Sequence, residues 1–127
     1  MQKVNIANGP ENASRLILGC MRMPALSVKD AANMIQTACD LGINFIDHAT
    51  CYGDGEAETR FGDAIALTNV KREDFIIQSK CGLRFDKQIF DWRKSNIIES
   101  VDGILKRLQM DYLDVLLLHR PDLLYDP

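Results

Sequence analysis

Three short apolar runs of the sequence each lead into a titratable residue. The runs and the residues that follow them are 43–46 with Asp47, 75–79 with Lys80, and 115–118 with His119. Tyr52 lies just beyond the first of these endings. A buried strand has no need of its own for an acid, a base or an imidazole at its end. In a parallel barrel, however, the C-terminal ends of the strands meet on one face, where the chemistry is done. The four side chains therefore predict an active site built from acid–base groups.

Helical patterns separate these strands. The predicted strands cover 14–18, 43–47, 74–80 and 115–119, and the predicted helices cover about 27–41, 56–67 and 96–109. Ser27 followed by Asp30 is typical of a helix start, and Gly42 is typical of a helix end. We expect Asn96 to cap the third helix and residues 81–92 to form a long loop. Residues 2–6, the turn-forming residues 7–12 and the strand after them predict a hairpin-like N-terminal cap.

Alternation of strand and helix predicts βαβ units and an α/β fold with a parallel sheet and outer helices. A complete (β/α)8 TIM barrel takes about 250 residues, whereas this sequence has 127. We therefore expect the N-terminal half of such a barrel: one incomplete domain, 1–127, of about four βα units. Its first and last barrel strands would have unpaired edges. We interpret the sequence as a truncated chain, or as a half that associates with itself or with a C-terminal half.

Composition excludes several classes of function. The net charge is −3 and the basic residues are scattered, which argues against nucleic-acid binding. No apolar run approaches the roughly 18 residues that span a bilayer, and the N-terminus lacks the apolar core of a signal peptide. Four cysteines without a CxxC pair favour reduced thiols and a cytoplasmic location. With two histidines besides, no metal site is predicted.

Three segments of the sequence carry a resemblance to a known family. They are Gly42–Ala49 with Tyr52, Gly53 and Glu58, then Ser79–Gly82, then Asp111–Asp122. Together they resemble the second-, third- and fourth-strand motifs of the aldo-keto reductases, and in particular a bacterial branch of predicted oxidoreductases. The match covers nearly the whole chain, and the motifs are specific as a set.

The resemblance implies NADPH-dependent reduction of an aldehyde or ketone carbonyl, with Asp47, Tyr52, Lys80 and His119 as the catalytic residues. A carbonyl that accepts a hydride develops negative charge on its oxygen and needs a proton donor. Tyr52 would donate the proton, and Lys80 would stabilise the phenolate that remains. Asp47 would hold Lys80 in place and keep it charged, while His119 would orient the carbonyl.

The same resemblance suggests contacts around the catalytic group. Met21 and Arg22, together with Asp47, are expected near the nicotinamide. Trp92 is expected at the mouth of the substrate site with His119, although a structural role for the indole is the alternative. In the family, loops after the last two strands hold the cofactor phosphates, so we expect this chain to lack most of that clamp.

Two other functions stay open at this point. One is a non-catalytic binding or assembly module, because some members of the family, such as potassium-channel β subunits, act mainly through partners. The other is an aldolase that uses Lys80 as a Schiff base, for which the lysine would have to be desolvated and free of an acid partner. Asp47 argues against that chemistry. The sequence does not identify the small carbonyl substrate.

Overall fold

A short antiparallel pair opens the computed structural model, which describes residues 1–84 and 87–120. Strand β1 (Lys3–Val4) pairs with β2 (Ala13–Ser14), which confirms the hairpin-like cap. The single strand predicted over 14–18 is wrong. The hydroxyl of Ser14 donates to the carbonyl of Leu16 and accepts from the backbone N–H of Asn44, so the chain turns before the next strand begins.

The central sheet has four parallel strands in the described part of the chain. In chain order the elements that follow are β3 (Ile17–Gly19), α1 (Val28–Asp40), β4 (Phe45–Asp47), α2 (Glu56–Ile65), β5 (Ile76–Cys81), β6 (Leu83–Arg84), β7 (Ile89–Phe90), α3 (Lys94–Leu108) and β8 (Val115–Leu118). The sheet order is β3-β4-β5-β8. Strand and helix alternate as predicted, and the parallel sheet has the form of a partial (β/α)8 barrel.

Local chemistry sets the helix boundaries. The hydroxyl of Ser27 accepts the backbone N–H of Asp30 at 3.1 Å and so caps α1, as predicted. The predicted cap at Asn96 is wrong, because α3 begins after Arg93. The Asn96 side chain is buried within the first turn, where it donates to the carbonyl of Asp91 and accepts from the guanidinium of Arg84. Its amide therefore ties the loop after β5 to the helix.

The loop predicted over 81–92 contains structure of its own. Cys81 still belongs to β5, and β6 pairs with β7 so that Leu83 lies opposite Phe90. Ladders of two residues are too short to give a readable hydrophobic period, which explains why the sequence pattern missed them.

The core lies between the sheet and the helices. Its largest fully buried apolar side chains are Phe61, Phe75, Met23, Ile35, Ile46, Ile77, Ile104 and Leu108. Helix α2 approaches the end of α3 so closely that a Cβ added to Gly62 would lie 2.6 Å from the carbonyl oxygen of Arg107. Only glycine permits that approach, and it fixes where α2 sits behind the sheet.

Apolar side chains remain exposed along both flanking strands of the described sheet. Ile17 on β3 is 50% exposed and Leu118 on β8 is 42% exposed. No helix in 1–84 or 87–120 is long and apolar enough to cross a membrane.

Candidate active site

Asp47, Tyr52 and Lys80 meet at the C-terminal edge of the sheet. Asp47 ends β4, Lys80 is the last residue but one of β5, and Tyr52 lies in the turn before α2. The ammonium of Lys80 lies 2.7 and 2.8 Å from the two carboxylate oxygens of Asp47. It also donates to Tyr52 Oη at 3.0 Å and to the carbonyl of His48 at 2.8 Å. The residues predicted from separate strand endings therefore form one hydrogen-bonded group.

Backbone hydrogen bonds hold the turn that carries Tyr52. The N–H of Thr50 donates to the carbonyl of Lys80 at 3.0 Å, which extends the pairing between the turn and β5. The N–H of Tyr52 donates to the carbonyl of Ala49, and the carbonyl of Tyr52 accepts from the N–H of Ala57 in α2. Since both ends of the turn are anchored, the phenol is positioned by the sheet and the helix together.

Lys80 is charged and largely shielded from water, with a side chain 13% exposed. Burial alone would lower the pKa of Lys80, but hydrogen bonds to Asp47 and Tyr52 and the charge of Asp47 outweigh burial and raise that pKa. The Asp47 carboxylate also accepts from the side-chain amide of Gln78 at 2.5 Å. The group therefore holds an ammonium beside a phenol, and hydrogen bonds from Lys80 and Gln78 fix the Asp47 carboxylate.

His119 completes the group that the sequence predicted. The backbone N–H of His119 donates to the backbone carbonyl of Cys81 at 2.8 Å, which continues the β5–β8 ladder by one residue. The imidazole meets the Tyr52 ring edge-on, with 6.4 Å between ring centroids. Burial, then the charges of Lys80 and Arg120, lower the pKa of His119, so the ring is neutral near neutral pH. Pro121 and Asp122 of the same motif lie outside the described residues.

Met21 and Arg22 lie at the same edge of the sheet, directly after β3. Gly19 is opposite Asp47 in the strand register, and the N–H of Cys20 donates to the Asp47 carbonyl at 3.0 Å. A Cβ added to Gly19 would meet no described atom within 4 Å, so there is open space beside Asp47. Met21 is 58% exposed and Arg22 is also exposed. Contact between this open edge and a nicotinamide stays a prediction.

Trp92 packs against the residue that follows β5. A Cβ on Gly82 would lie 2.6 Å from the indole Cδ1 atom, and Gly82 has a φ of 95°. The indole is therefore close to the strand that carries Lys80. Contact between Trp92 and a substrate stays a prediction.

Two buried groups behind the strand ends were not resolved by sequence reasoning. Glu58 is fully buried, and its carboxylate accepts from Ser79 Oγ at 2.7 Å and from Arg107 Nε at 2.7 Å. In the sequence Glu58 is part of the motif with Tyr52 and Gly53, and no local pattern predicts these partners. His48 is also fully buried, and its ring meets Phe61 edge-on at 4.9 Å. Burial lowers the pKa of His48 to about 3.

Comparison with known proteins gives the family. The model of the Aldo/keto reductase family matches residues 15–126. The chain is 36% identical to the uncharacterized oxidoreductase YcsN of Bacillus subtilis, and 37% identical to the oxidoreductase YdhF of Escherichia coli. These alignments cover 100% and 99% of this chain and 45% of each relative, so the chain spans less than half the length of either.

A solved structure agrees with both the family and the partial-barrel fold. The aldo-keto reductase AKR11C1 from Bacillus halodurans, in its holo form, superposes with a TM-score of 0.78 at 32% identity, over 92% of this chain and 40% of that one. The sequence, the sheet order and these matches lead to one conclusion, which is that the chain belongs to the aldo-keto reductase family and folds as part of its (β/α)8 barrel.

Proposed function

We propose that this chain carries the acid–base half of an NADPH-dependent reductase of aldehyde or ketone carbonyls. One observation carries the proposal: the Lys80 ammonium lies 2.8 Å from a carboxylate oxygen of Asp47 and 3.0 Å from the phenol oxygen of Tyr52. A phenol beside a fixed ammonium is the arrangement that a developing alkoxide needs, because the ammonium stabilises the phenolate left by proton donation.

Each of the four residues has a separate role in this reaction. Tyr52 Oη gives its proton to the carbonyl oxygen as the hydride reaches the carbonyl carbon, so the product is an alcohol. Lys80 holds the resulting phenolate by the 3.0 Å hydrogen bond. Asp47 fixes the Lys80 ammonium through two oxygens and keeps it protonated. His119, whose ring lies against Tyr52, donates to the same carbonyl oxygen and orients it.

The cofactor would lie over the open edge beside Asp47. When bound, the nicotinamide supplies the hydride. Met21 and Arg22 follow β3 at that edge, and Gly19 leaves space next to Asp47. These residues would contact the nicotinamide end of the cofactor. The related Bacillus halodurans structure is a holo form, which is consistent with a bound cofactor in the family. That the cofactor of this chain is a nicotinamide nucleotide, and NADPH in preference, is part of the proposal.

Comparison of Tyr52→Phe with Tyr112→Phe tests the proton donor. The Tyr112 ring stacks against the guanidinium of Arg72, whose Cζ atom lies 3.9 Å from the ring centroid. Tyr112→Phe therefore removes a hydroxyl group that takes no part in the proposed chemistry. NADPH consumption with small aldehydes and ketones is measured for the chain alone and after addition of a C-terminal barrel half from a relative. We expect Tyr52→Phe to lower turnover by about 100-fold or more and Tyr112→Phe to leave it unchanged.

Retained turnover in Tyr52→Phe would reject Tyr52 as the proton donor. No turnover and no quenching of NADPH fluorescence under either condition would reject the reductase.

A second proposal concerns the exposed strand edges. Ile17 and Leu116 are exposed apolar residues on the two flanking strands of the described sheet, and such edges pair readily with other strands. We propose that they take up a C-terminal barrel half or a second copy of this chain. Sedimentation velocity of Ile17→Lys and Leu116→Lys should show weakened association, while Leu67→Lys, in the exposed turn after α2, should behave as the parent. A parent chain that stays monomeric and binds no C-terminal half would refute this proposal.

The cysteines support a location. Cys20, Cys39, Cys51 and Cys81 are all free thiols, and Cys20 and Cys81 are buried. Because free thiols persist in reducing compartments, we propose a cytoplasmic location.

A further inference from the structure

The thiol of Cys51 contacts the imidazole of His119 inside the proposed active site. Cys51 Sγ lies 3.4 Å from His119 Nδ1, although the two residues are 68 positions apart in the chain. Cys51 belongs to the anchored turn before α2, between Thr50, which donates to β5, and Tyr52. His119 also donates its backbone N–H to β5. The end of one strand therefore fixes both partners, so the contact is a built feature of the site.

Both groups of this contact are neutral near neutral pH. Burial raises the pKa of the Cys51 thiol, and neither a backbone hydrogen bond nor the charges of Lys80 and Arg120 reverse that effect, so the sulfur carries its proton. The lowered pKa of His119 leaves a neutral imidazole, which has one N–H and one acceptor nitrogen. A neutral thiol can donate to an unprotonated Nδ1 or accept from Nδ1–H. An imidazole nitrogen is a stronger acceptor than a thiol sulfur, which favours the thiol as the donor and places the ring proton on Nε2.

The other ring nitrogen is the one available to a ligand. Among residues 1–84 and 87–120, none forms a hydrogen bond with His119 Nε2. A protonated Nε2 beside Tyr52 would present a second donor to the same oxygen that receives the phenol proton. With the opposite tautomer, Nε2 would present a lone pair to the carbonyl oxygen and repel it.

We propose that Cys51 is a positioning residue that sets the tautomer of His119, so that Nε2–H points to the carbonyl oxygen of the substrate. The tautomer depends only on residues of this chain. Its use on a carbonyl substrate rests on the proposed reductase function. Cys51 itself needs no contact with the substrate, because it acts through the ring.

Nitrogen-15 NMR of the histidine rings tests the tautomer directly on the full chain. Only two histidines are present, and the spectrum of His119→Gln assigns the remaining signals to His48. In the parent we expect the proton of His119 on Nε2, with Nδ1 in the downfield position of an unprotonated nitrogen. Cys51→Ala should shift the tautomer ratio about fivefold toward Nδ1–H, the factor expected from one neutral hydrogen bond.

Two further variants separate positioning from packing. Cys51→Ser keeps a donor at the same place and should restore the parent tautomer, whereas an effect of lost volume alone would not be rescued by serine. Cys39→Ala removes a thiol at the end of α1 and should leave the His119 signals unchanged. A parent spectrum with the proton on Nδ1, or equal tautomer ratios in the parent and Cys51→Ala, would overturn the proposal.

Kinetics then show how the tautomer is used. With a carbonyl substrate, Cys51→Ala should lower kcat in proportion to the fall in the Nε2–H fraction of His119 measured by NMR, with little change in KM for NADPH, and Cys51→Ser should recover most of the loss. If the NMR shift appears but no carbonyl is reduced by any variant, the reductase function fails and the tautomer assignment stands. If carbonyls are reduced but kcat does not follow the Nε2–H fraction, the role of Nε2–H is refuted.

Discussion

Acid should unfold this protein partly through one buried histidine. His48 is fully buried behind β4, with its ring edge against Phe61, and burial lowers its pKa from 6.5 to about 3. The neighbouring charges act in opposite directions, because Asp47 favours the imidazolium and Lys80 disfavours it. Desolvation therefore decides the outcome, and the folded protein holds His48 neutral over a range in which the unfolded chain protonates it.

The magnitude follows from that range. Between pH 6.5 and about 3 the unfolded chain binds a proton at His48 that the folded chain does not, so the free energy of unfolding falls as the pH falls. Each pH unit in this interval is worth about 1.4 kcal/mol. From pH 7 to pH 4 the contribution of His48 is thus a loss of about 3 kcal/mol, a large part of the roughly 5–15 kcal/mol that stabilises a typical domain.

Urea unfolding of the parent and His48→Leu between pH 7 and pH 4 measures this contribution. Neither ring nitrogen of His48 has a hydrogen-bond partner among the described residues, so leucine removes no such bond. At pH 7 we expect the two proteins to differ by less than about 1 kcal/mol. Because carboxylates titrate alike in both, the difference in unfolding free energy should change by about 3 kcal/mol toward pH 4, in favour of leucine. Parallel pH profiles would refute the reasoning.

Two more substitutions test the charged pairs. Glu58→Gln should lower the free energy of unfolding by about 2 kcal/mol, below the usual cost of breaking a buried pair because the Arg107 side chain is 31% exposed. Its matched control, Glu56→Gln on the exposed face of α2, should cost less than about 0.5 kcal/mol in the same urea titration. Asp47→Asn removes the charged one of the two partners that together outweigh burial, so the pKa of Lys80 should fall relative to the parent protein. An NMR titration of the Lys80 side chain that finds an unchanged or higher pKa would contradict that balance.

The sequence predicted the arrangement of the strand ends because topology leaves few choices. Parallel strands joined by helices must all end on the same edge, so Asp47, Lys80 and His119 had to converge once the alternation was recognised. The start of α1 could also be predicted from the sequence, because the Ser27 hydroxyl and the backbone N–H of Asp30 are close in the chain. These features depend on short stretches of chain or on rules that hold for every sheet of this kind.

The missed features depend on contacts between distant segments. Gln78 reaches Asp47 because the β4–β5 register sets the two residues opposite each other, and no local pattern gives that register. The partners of Glu58 are 21 and 49 residues away. Asn96 has the residue type of a helix cap, but burial against the loop after β5 gave its amide other partners. Propensity alone could not weigh such tertiary contacts.

Strand β5 explains how the site can be both charged and rigid. Alternate residues of a strand face opposite sides of the sheet. Accordingly Gln78 and Lys80 reach the Asp47 carboxylate, while Ser79, between them, donates to the buried carboxylate of Glu58. Each acid thus binds one side of the same strand, and the backbone carbonyl of Lys80 binds the turn that carries Tyr52. Because movement of β5 would break the contacts on both faces together, the buried Glu58 stabilises the position of the Lys80 ammonium without touching it.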